Sequence, residues 1–169
     1  MSDTRWLDED EQRTWRSFLT ASRLLWDQVE RQLQGESGMP HAYYEILVRL
    51  SETPGRALRM SQLASTSLSS RSRLSHAVAR MEEAGWIRRR PCPDDRRGQI
   101  AELTDEGLRR IEATAPGHVE EVRRVLFDQL TPEQQASLQE ISEKLVANMM
   151  PEGIWTMEVP DPETGQRGV

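Results

Sequence analysis

Residues 70–104 constrain this chain more than any other stretch: a helix rich in serine and arginine, a basic strand, a charged turn and a second strand. The helix opens Ser70-Arg71-Ser72-Arg73-Leu74-Ser75-His76 and closes Arg80-Met81-Glu82-Glu83-Ala84-Gly85. Trp86-Ile87-Arg88-Arg89-Arg90 follows, then Pro93-Asp94-Asp95-Arg96-Arg97-Gly98 and Gln99-Ile100-Ala101-Glu102-Leu103-Thr104. On a helical wheel of about 100° per residue, Leu74, Ala77, Val78 and Met81 share a side and face a core. Ser72, His76 and Ala79 fall roughly opposite, flanked by Arg73 and Arg80 on one edge and Ser75 on the other. A helix face that is small at its centre and cationic at its edge suits the wide groove of duplex DNA, and a basic hairpin suits the narrow one. Taken alone, the helix reads as a solvated polar face and the Asp-Asp turn as an ordinary hairpin. Their adjacency points to DNA.

Charge supports that adjacency. The chain of 169 residues carries a net −6, yet residues 56–97 hold ten arginines against Glu82, Glu83, Asp94 and Asp95, a net of +6. The remainder therefore carries −12. A positive module in an acidic frame attracts phosphate on one face and repels it elsewhere. All basic residues but Lys144 are arginine, the side chain suited to two-point bonding of guanine and phosphate; a GC-rich coding bias accounts for much of that, and the clustering is the stronger signal. Arg73 and His76 are assigned to base edges, and Ser70, Ser72, Ser75 and Arg80 mainly to phosphates. Arg71 lies at the helix N-terminal end within the same set. In the strand, Arg88 and Arg90 point to one side and Arg89 to the other. Asp95 and Arg97 can pair across the turn and aim an arginine into a narrow minor groove.

Around this lobe the spacing predicts helices. Trp15, Phe18, Leu19, Ser22, Leu25, Trp26, Val29 and Leu33 recur at three- and four-residue steps over 8–34, and Gly35 and Gly38 end that stripe. Pro40 restarts a helix through Ile46, Leu47 and Leu50; Pro54-Gly55 is a turn, 58–60 a short strand and 61–66 a short helix. Thr104 caps a helix striped by Leu108, Ile111, Ala115, Val119, Val122, Leu126 and Leu130, in which Pro116-Gly117 implies a kink or break. Thr131-Pro132-Glu133-Gln134 opens a last helix carrying Leu138, Ile141, Leu145 and Met149. The fold class is mainly α: a winged helix-turn-helix with N- and C-terminal dimerisation helices and a two-stranded β-wing. Domain limits follow as 1–36 for the first dimerisation helix, 39–103 for the DNA-binding lobe, 104–150 for the C-terminal dimerisation helices and 151–169 for a flexible tail. A homodimer would repeat the lobe about a two-fold axis and match a palindromic operator with half-sites one turn apart.

The motif Pro93-Asp94-Asp95-Arg96-Arg97-Gly98, followed after four residues by Leu103-Thr104-Asp105-Glu106-Gly107, resembles the wing signature of MarR-type regulators, and the helix ending at Gly85 resembles their recognition helix. The resemblance covers nearly residues 8–150. It implies a homodimeric winged helix-turn-helix repressor, occasionally an activator, that binds palindromic operators and is often released by small aromatic or anionic ligands. It also implies that Asp95 braces the wing and Arg97 is its minor-groove arginine, with Arg90 and Arg96 beside it. His76 stands where many relatives carry arginine. An effector pocket implied by the family would draw on Trp15, Phe18, His41 and Tyr43, residues that core and dimer packing would equally explain. Cys92 lies in the hairpin, away from the first helix where redox-sensing relatives carry their cysteine, so peroxide sensing is not expected.

Several classes drop out. One cysteine excludes an internal disulfide and a cysteine-based zinc site, and His41, His76 and His118 lack metal-ligand spacing. No catalytic constellation or phosphate-cradling glycine loop is present, so neither enzyme activity nor a cofactor is expected. The polar N-terminus and absence of a long apolar run imply a cytoplasmic protein with no membrane partner. The competing reading is a winged-helix protein-interaction module whose basic hairpin docks an acidic partner.

Overall fold

Asp8 starts the first helix, α1 (Glu9–Ser37), through a reciprocal cap: its carboxylate accepts the Glu11 N–H at 2.8 Å and the Glu11 carboxylate accepts the Asp8 N–H at 3.0 Å. Glu9, Asp10 and Glu11 fill the first turn, where the helix dipole favours anions. The computed structural model describes residues 4–66, 71–93 and 95–149, without the side chains of Thr66, Arg71, Arg96 and Arg97. Ser70, Asp94 and the expected tail 151–169 lie outside the described residues. After α1 come α2 (His41–Glu52), β1 (Ala57–Arg59), α3 (Met60–Thr66), α4 (Arg71–Glu83), β2 (Ile87–Cys92), β3 (Asp95–Leu103), α5 (Asp105–Val125) and α6 (Pro132–Met149). Helix α1 passes through Gly35 and stops at Gly38, whose N–H returns to the Gln34 carbonyl.

The chain divides into two compact units, Met1–His41 with Thr114–Gln135, and Ala42–Ala113 with Ala136–Val169. In the first, Val29, Leu33 and Met39 are buried, while Trp15, Phe18, Leu24 and Trp26 of α1 stay more than half exposed. Pro116-Gly117, where a kink or a break is expected, does not break the helix, since α5 runs through it. Pro116 forfeits one backbone bond, and the carbonyl it would have served belongs to Glu112, an exposed residue that water can satisfy. Gly117 is there for close approach: a side chain on it would collide with the Glu36 carboxylate and crowd the Gln32 amide at 3.1 Å. Thr131 and Gln134 form the expected capping box, with N–H to side-chain distances of 2.9 and 3.3 Å.

The second unit holds a three-stranded antiparallel sheet in the order β1-β3-β2. The β2–β3 hairpin is the two-stranded wing that the sequence implies, and β1 adds a third strand by pairing Ala57, Leu58 and Arg59 with Glu102, Ala101 and Ile100. Leu47, Leu50, Leu63, Leu74, Val78, Met81, Ile87 and Ala101 are almost wholly buried in this unit, each large side chain contributing about 1.5–3 kcal/mol.

The end of α4 fixes how this unit is assembled. Gly85 adopts φ +76, a left-handed conformation natural to glycine, and its N–H returns to the Glu82 carbonyl while the Trp86 N–H returns to the Met81 carbonyl. The Trp86 carbonyl then accepts the Thr104 N–H at 3.0 Å. The Thr104 hydroxyl donates to the Gly85 carbonyl at 2.7 Å and accepts the Gly107 N–H at 3.0 Å, capping α5. Gly107 passes so close that any side chain on it would strike the Trp86 carbonyl oxygen. Arg110 lies 5.5 Å from the centre of the Trp86 ring. Gly107→Ala should therefore lower unfolding free energy by about 1–3 kcal/mol, and Thr104→Val, which loses the cap, by about 0.5–2 kcal/mol. Both losses are read from the urea midpoint of the full chain; an unshifted midpoint for Gly107→Ala would refute the close approach.

Candidate nucleic-acid interface

Helix α4 separates its two faces cleanly. Leu74, Ala77, Val78 and Met81 are buried, and Ser72, Arg73, Ser75, His76 and Arg80 are exposed. Ala79 is half-buried between them. The outward face is thus short at its centre and basic at its edge, the shape that lets a helix enter a groove closely. Arg80 meets Glu83 one turn on at 3.2 Å, with both side chains well exposed. Such a pair is worth little, so a phosphate can displace it. Ser70 and the Arg71 side chain belong to the undescribed set, as do the side chains of Arg96 and Arg97 in the hairpin.

The three consecutive arginines of β2 are all engaged by the chain's own carboxylates. Arg88 and Arg90 share Glu102 across the β2–β3 ladder at 2.9 and 3.0 Å. Arg89, on the opposite side of the strand as alternation requires, meets Glu82 of α4. Hydrogen bonding from Arg90, then Arg88, holds the Glu102 carboxyl below the usual carboxylate range; the Arg89 side chain, then its backbone N–H, does the same for Glu82. Arg90, a predicted DNA contact, therefore sits half-buried against Glu102. No local sequence pattern marks Glu82 or Glu102 as the partner of these arginines. The strand register carries the missing signal, since Arg88 stands directly opposite Glu102.

At the tip, β2 and β3 close through Cys92 opposite Asp95, with a register irregularity at Pro91/Cys92. The Asp95 carboxylate folds back over Gly98: a side chain at that glycine would lie 2.9 Å from its Oδ2 and 3.0 Å from the Cys92 Cβ. The expected Asp95–Arg97 pair involves an Arg97 side chain outside the described residues. Cys92 is a free, buried thiol.

The four effector candidates fall in both units, Trp15, Phe18 and His41 in the first and Tyr43 in the second. Trp15 and Phe18 are each about half exposed on α1, and Tyr43 is half-buried in α2, in the second unit. His41, half-buried in the first unit, has its ring 4.9 Å from Trp26 and 6.2 Å from His118, and its N–H donates to Glu30 at 2.9 Å. Burial, and then the neighbouring His41, push the His118 imidazole down from its ordinary value. No local pattern signals this approach, because the two histidines lie on different helices. Among the described residues no group of three His, Cys, Asp or Glu side chains is placed to hold a metal ion. None of the described helices is long and apolar enough to cross a membrane.

Comparison with known proteins agrees with this geometry. The profile of the MarR family matches residues 37–98. A MarR family transcriptional regulator from Streptomyces coelicolor, solved in complex with DNA, is 52% identical over 91% of this chain and 96% of its own, with a TM-score of 0.85. AbsC, a second MarR family regulator from Streptomyces coelicolor, is 44% identical over 86% of this chain and 98% of its own, with a TM-score of 0.81. The HTH-type transcriptional regulator PecS of Dickeya dadantii is 39% identical over 70 residues, which span 41% of this chain and only 42% of PecS. With the exposed basic face of α4 set beside a charged wing, these likenesses make the chain a member of the MarR family of winged helix-turn-helix transcriptional regulators, proteins that bind DNA and are not enzymes.

Proposed function

We propose that two copies of this chain bind a palindromic operator as a homodimer and repress transcription from it. Helix α4 enters the major groove and the β2–β3 wing reaches the flanking minor groove. The observation that carries this reading is the outward face of α4, where Ser72, Arg73, Ser75, His76 and Arg80 are exposed above a fully apolar inner face. Arg73 and His76 read base edges; Ser70, Arg71, Ser72, Ser75 and Arg80 position the helix on phosphates; Arg90, Arg96 and Arg97 serve the wing. That a 52%-identical relative was solved in complex with DNA supports duplex DNA as the ligand. The alternative, docking of an acidic protein by the basic hairpin, would draw on the same wing arginines, and of these Arg88, Arg89 and Arg90 already have carboxylate partners.

Dimerisation is supported by apolar side chains that the single chain leaves in water. On α6, Leu138, Ile141, Leu145 and Met149 recur at helical spacing and are exposed, and α1 exposes Trp15, Phe18 and Trp26. Such stripes on long helices mark a surface for a partner, and a second copy supplies a self-complementary one. Release by a small aromatic or anionic ligand completes the reading. The aromatic and imidazole side chains of Trp15, Phe18, His41 and Tyr43 support that ligand class, and His41 has ring contacts with Trp26 and His118.

Binding-site selection from random duplexes should recover an inverted repeat, and operator affinity should fall steeply with salt as phosphates are neutralised. Arg73→Ala should cost about 1–3 kcal/mol and relax preference at one base position, whereas Arg97→Ala should weaken all sequences alike and reduce the salt slope by about 1. Fluorescence anisotropy across a salt series checks both; a flat salt response would refute the reading. In sedimentation, the wild type should run as two chains. Ile141→Glu with Leu145→Glu should run as one and lose operator binding while retaining its helical circular dichroism.

A further inference from the structure

Helix α4 and the wing must meet two grooves of the same duplex together, so the angle between them matters as much as their charge. The wing is a cantilever. Its base is held where Ile87 is buried opposite Leu103 and where β1 pairs with Ile100, Ala101 and Glu102, and its tip lies by Pro93 and Asp95. With about 3.3 Å per strand residue, the tip stands roughly 20 Å from Ile87, and a rotation of about 10° moves it roughly 3.5 Å. That displacement exceeds the tolerance of a hydrogen bond.

A side-chain strut lies partway along the lever. Strand β2 is an edge of the sheet, so its outward backbone groups have no neighbouring strand. At Arg89 the outward N–H donates to Glu82 Oε1 at 2.9 Å, and the Arg89 guanidinium donates through Nε to Glu82 Oε2 at 2.7 Å. One carboxylate of the recognition helix therefore grips one strand residue by main chain and side chain at once. Both side chains are only about a third exposed, at 33% and 35%, so the grip is better shielded than the Arg80–Glu83 pair on the same helix end. A two-point, charge-assisted contact fixes direction as well as distance. It also covers an edge-strand donor that would otherwise be open to another chain.

Resting on the reading of α4 and the wing as the DNA-contacting elements, we propose that Glu82 is a positioning residue for operator binding: by gripping Arg89 it sets the wing against the recognition helix so that both grooves are met at once. Glu82 touches no DNA in this scheme. Its effect opposes simple electrostatics, because removing a negative charge beside DNA should by itself tighten binding.

That opposition supplies the test. Glu82→Gln keeps an acceptor for the Arg89 N–H but loses the ion pair; Arg89→Met loses it from the other side; Glu83→Gln makes the same charge change one residue away. On a selected operator duplex, Glu82→Gln and Arg89→Met should each bind about tenfold more weakly, and Glu83→Gln as tightly as the wild type or more tightly. The penalty for Arg97→Ala should shrink in the Glu82→Gln background, because an unaligned wing has little left to lose. In the free full-length protein, spin labels at Ser75 and Gln99 in a Cys92→Ser background, diluted with unlabelled chain, should give one narrow distance that broadens in Glu82→Gln. Tighter operator binding by Glu82→Gln, matching Glu83→Gln, would overturn the proposal, as would an unchanged distance distribution. Failure of the wild type to bind any duplex would instead remove the DNA reading, and the spin-label distances would still decide whether Glu82 holds the wing.

Discussion

The carbonyl oxygen of Trp86 sits where three elements meet, and the geometry of the DNA-binding lobe depends on what surrounds it. Gly85 turns the chain out of α4, exposing that carbonyl to the Thr104 N–H and to the close passage of Gly107 at the start of α5. The end of the recognition helix, the base of the wing and the first turn of α5 are thereby pinned by backbone groups, one hydroxyl and the absence of one side chain. Such contacts are short, and salt screens them little compared with exposed ion pairs. The junction fixes the base of the lobe, but it cannot fix the tip of a hairpin reaching some six residues outward from Ile87. Orientation above that base falls to the pairing of β1 with Glu102, Ala101 and Ile100 and to side chains on the wing itself.

Those side chains are mostly arginines, and the structure divides them by task. Exposed ion pairs add little stability, with a typical contribution of about 0–1 kcal/mol, so the carboxylates of Glu82 and Glu102 are poorly explained as glue. Their geometry is more informative. Glu102 takes two arginines from one side of β2, and Glu82 takes the intervening one from the other side. The strand is braced on both sides by acids one element away, and its cations are held in defined directions. Helix α4 differs in its Arg80–Glu83 pair, which lies within the same helix and is highly exposed.

What the sequence disclosed and what it withheld follow from the range of each interaction. The inner face of α4, the caps at Thr104 and Thr131, the turn at Gly85 and the short strand before α3 are set by residues within one or two turns, and all were legible as pattern. At Pro116-Gly117 the local signal says nothing about distant partners: the helix continues, and the approach of Glu36 and Gln32 shows why a glycine is useful there. The Glu82 and Glu102 pairings depend on strand register and on the packing of a helix against an edge strand, which no local window contains. The stripe Trp15, Phe18, Trp26 was legible as apolar, but a pattern cannot tell a core from a surface. Only Val29 and Leu33 of α1 are buried within the single chain, as expected when the rest of a stripe is completed by another copy.

The same division bears on how an acidic protein can select one DNA sequence among many. Non-specific affinity grows with the number of cations free to neutralise phosphate, whatever the bases. A lobe with ten arginines and no internal partners would bind any duplex strongly and gain little from the correct one. Engaging Arg88, Arg89 and Arg90 with the protein's own carboxylates lowers that indiscriminate term, while the acidic remainder of the chain repels DNA that approaches from other directions. On α4, by comparison, the Arg80–Glu83 pair lies within one helix and is highly exposed, so a phosphate can displace it. The ratio of specific to non-specific binding, which governs occupancy in a genome full of competing sites, therefore rises even as total positive charge is spent. On the proposed reading, the acids inside the lobe contribute to selectivity by restraining its arginines as well as by aiming them.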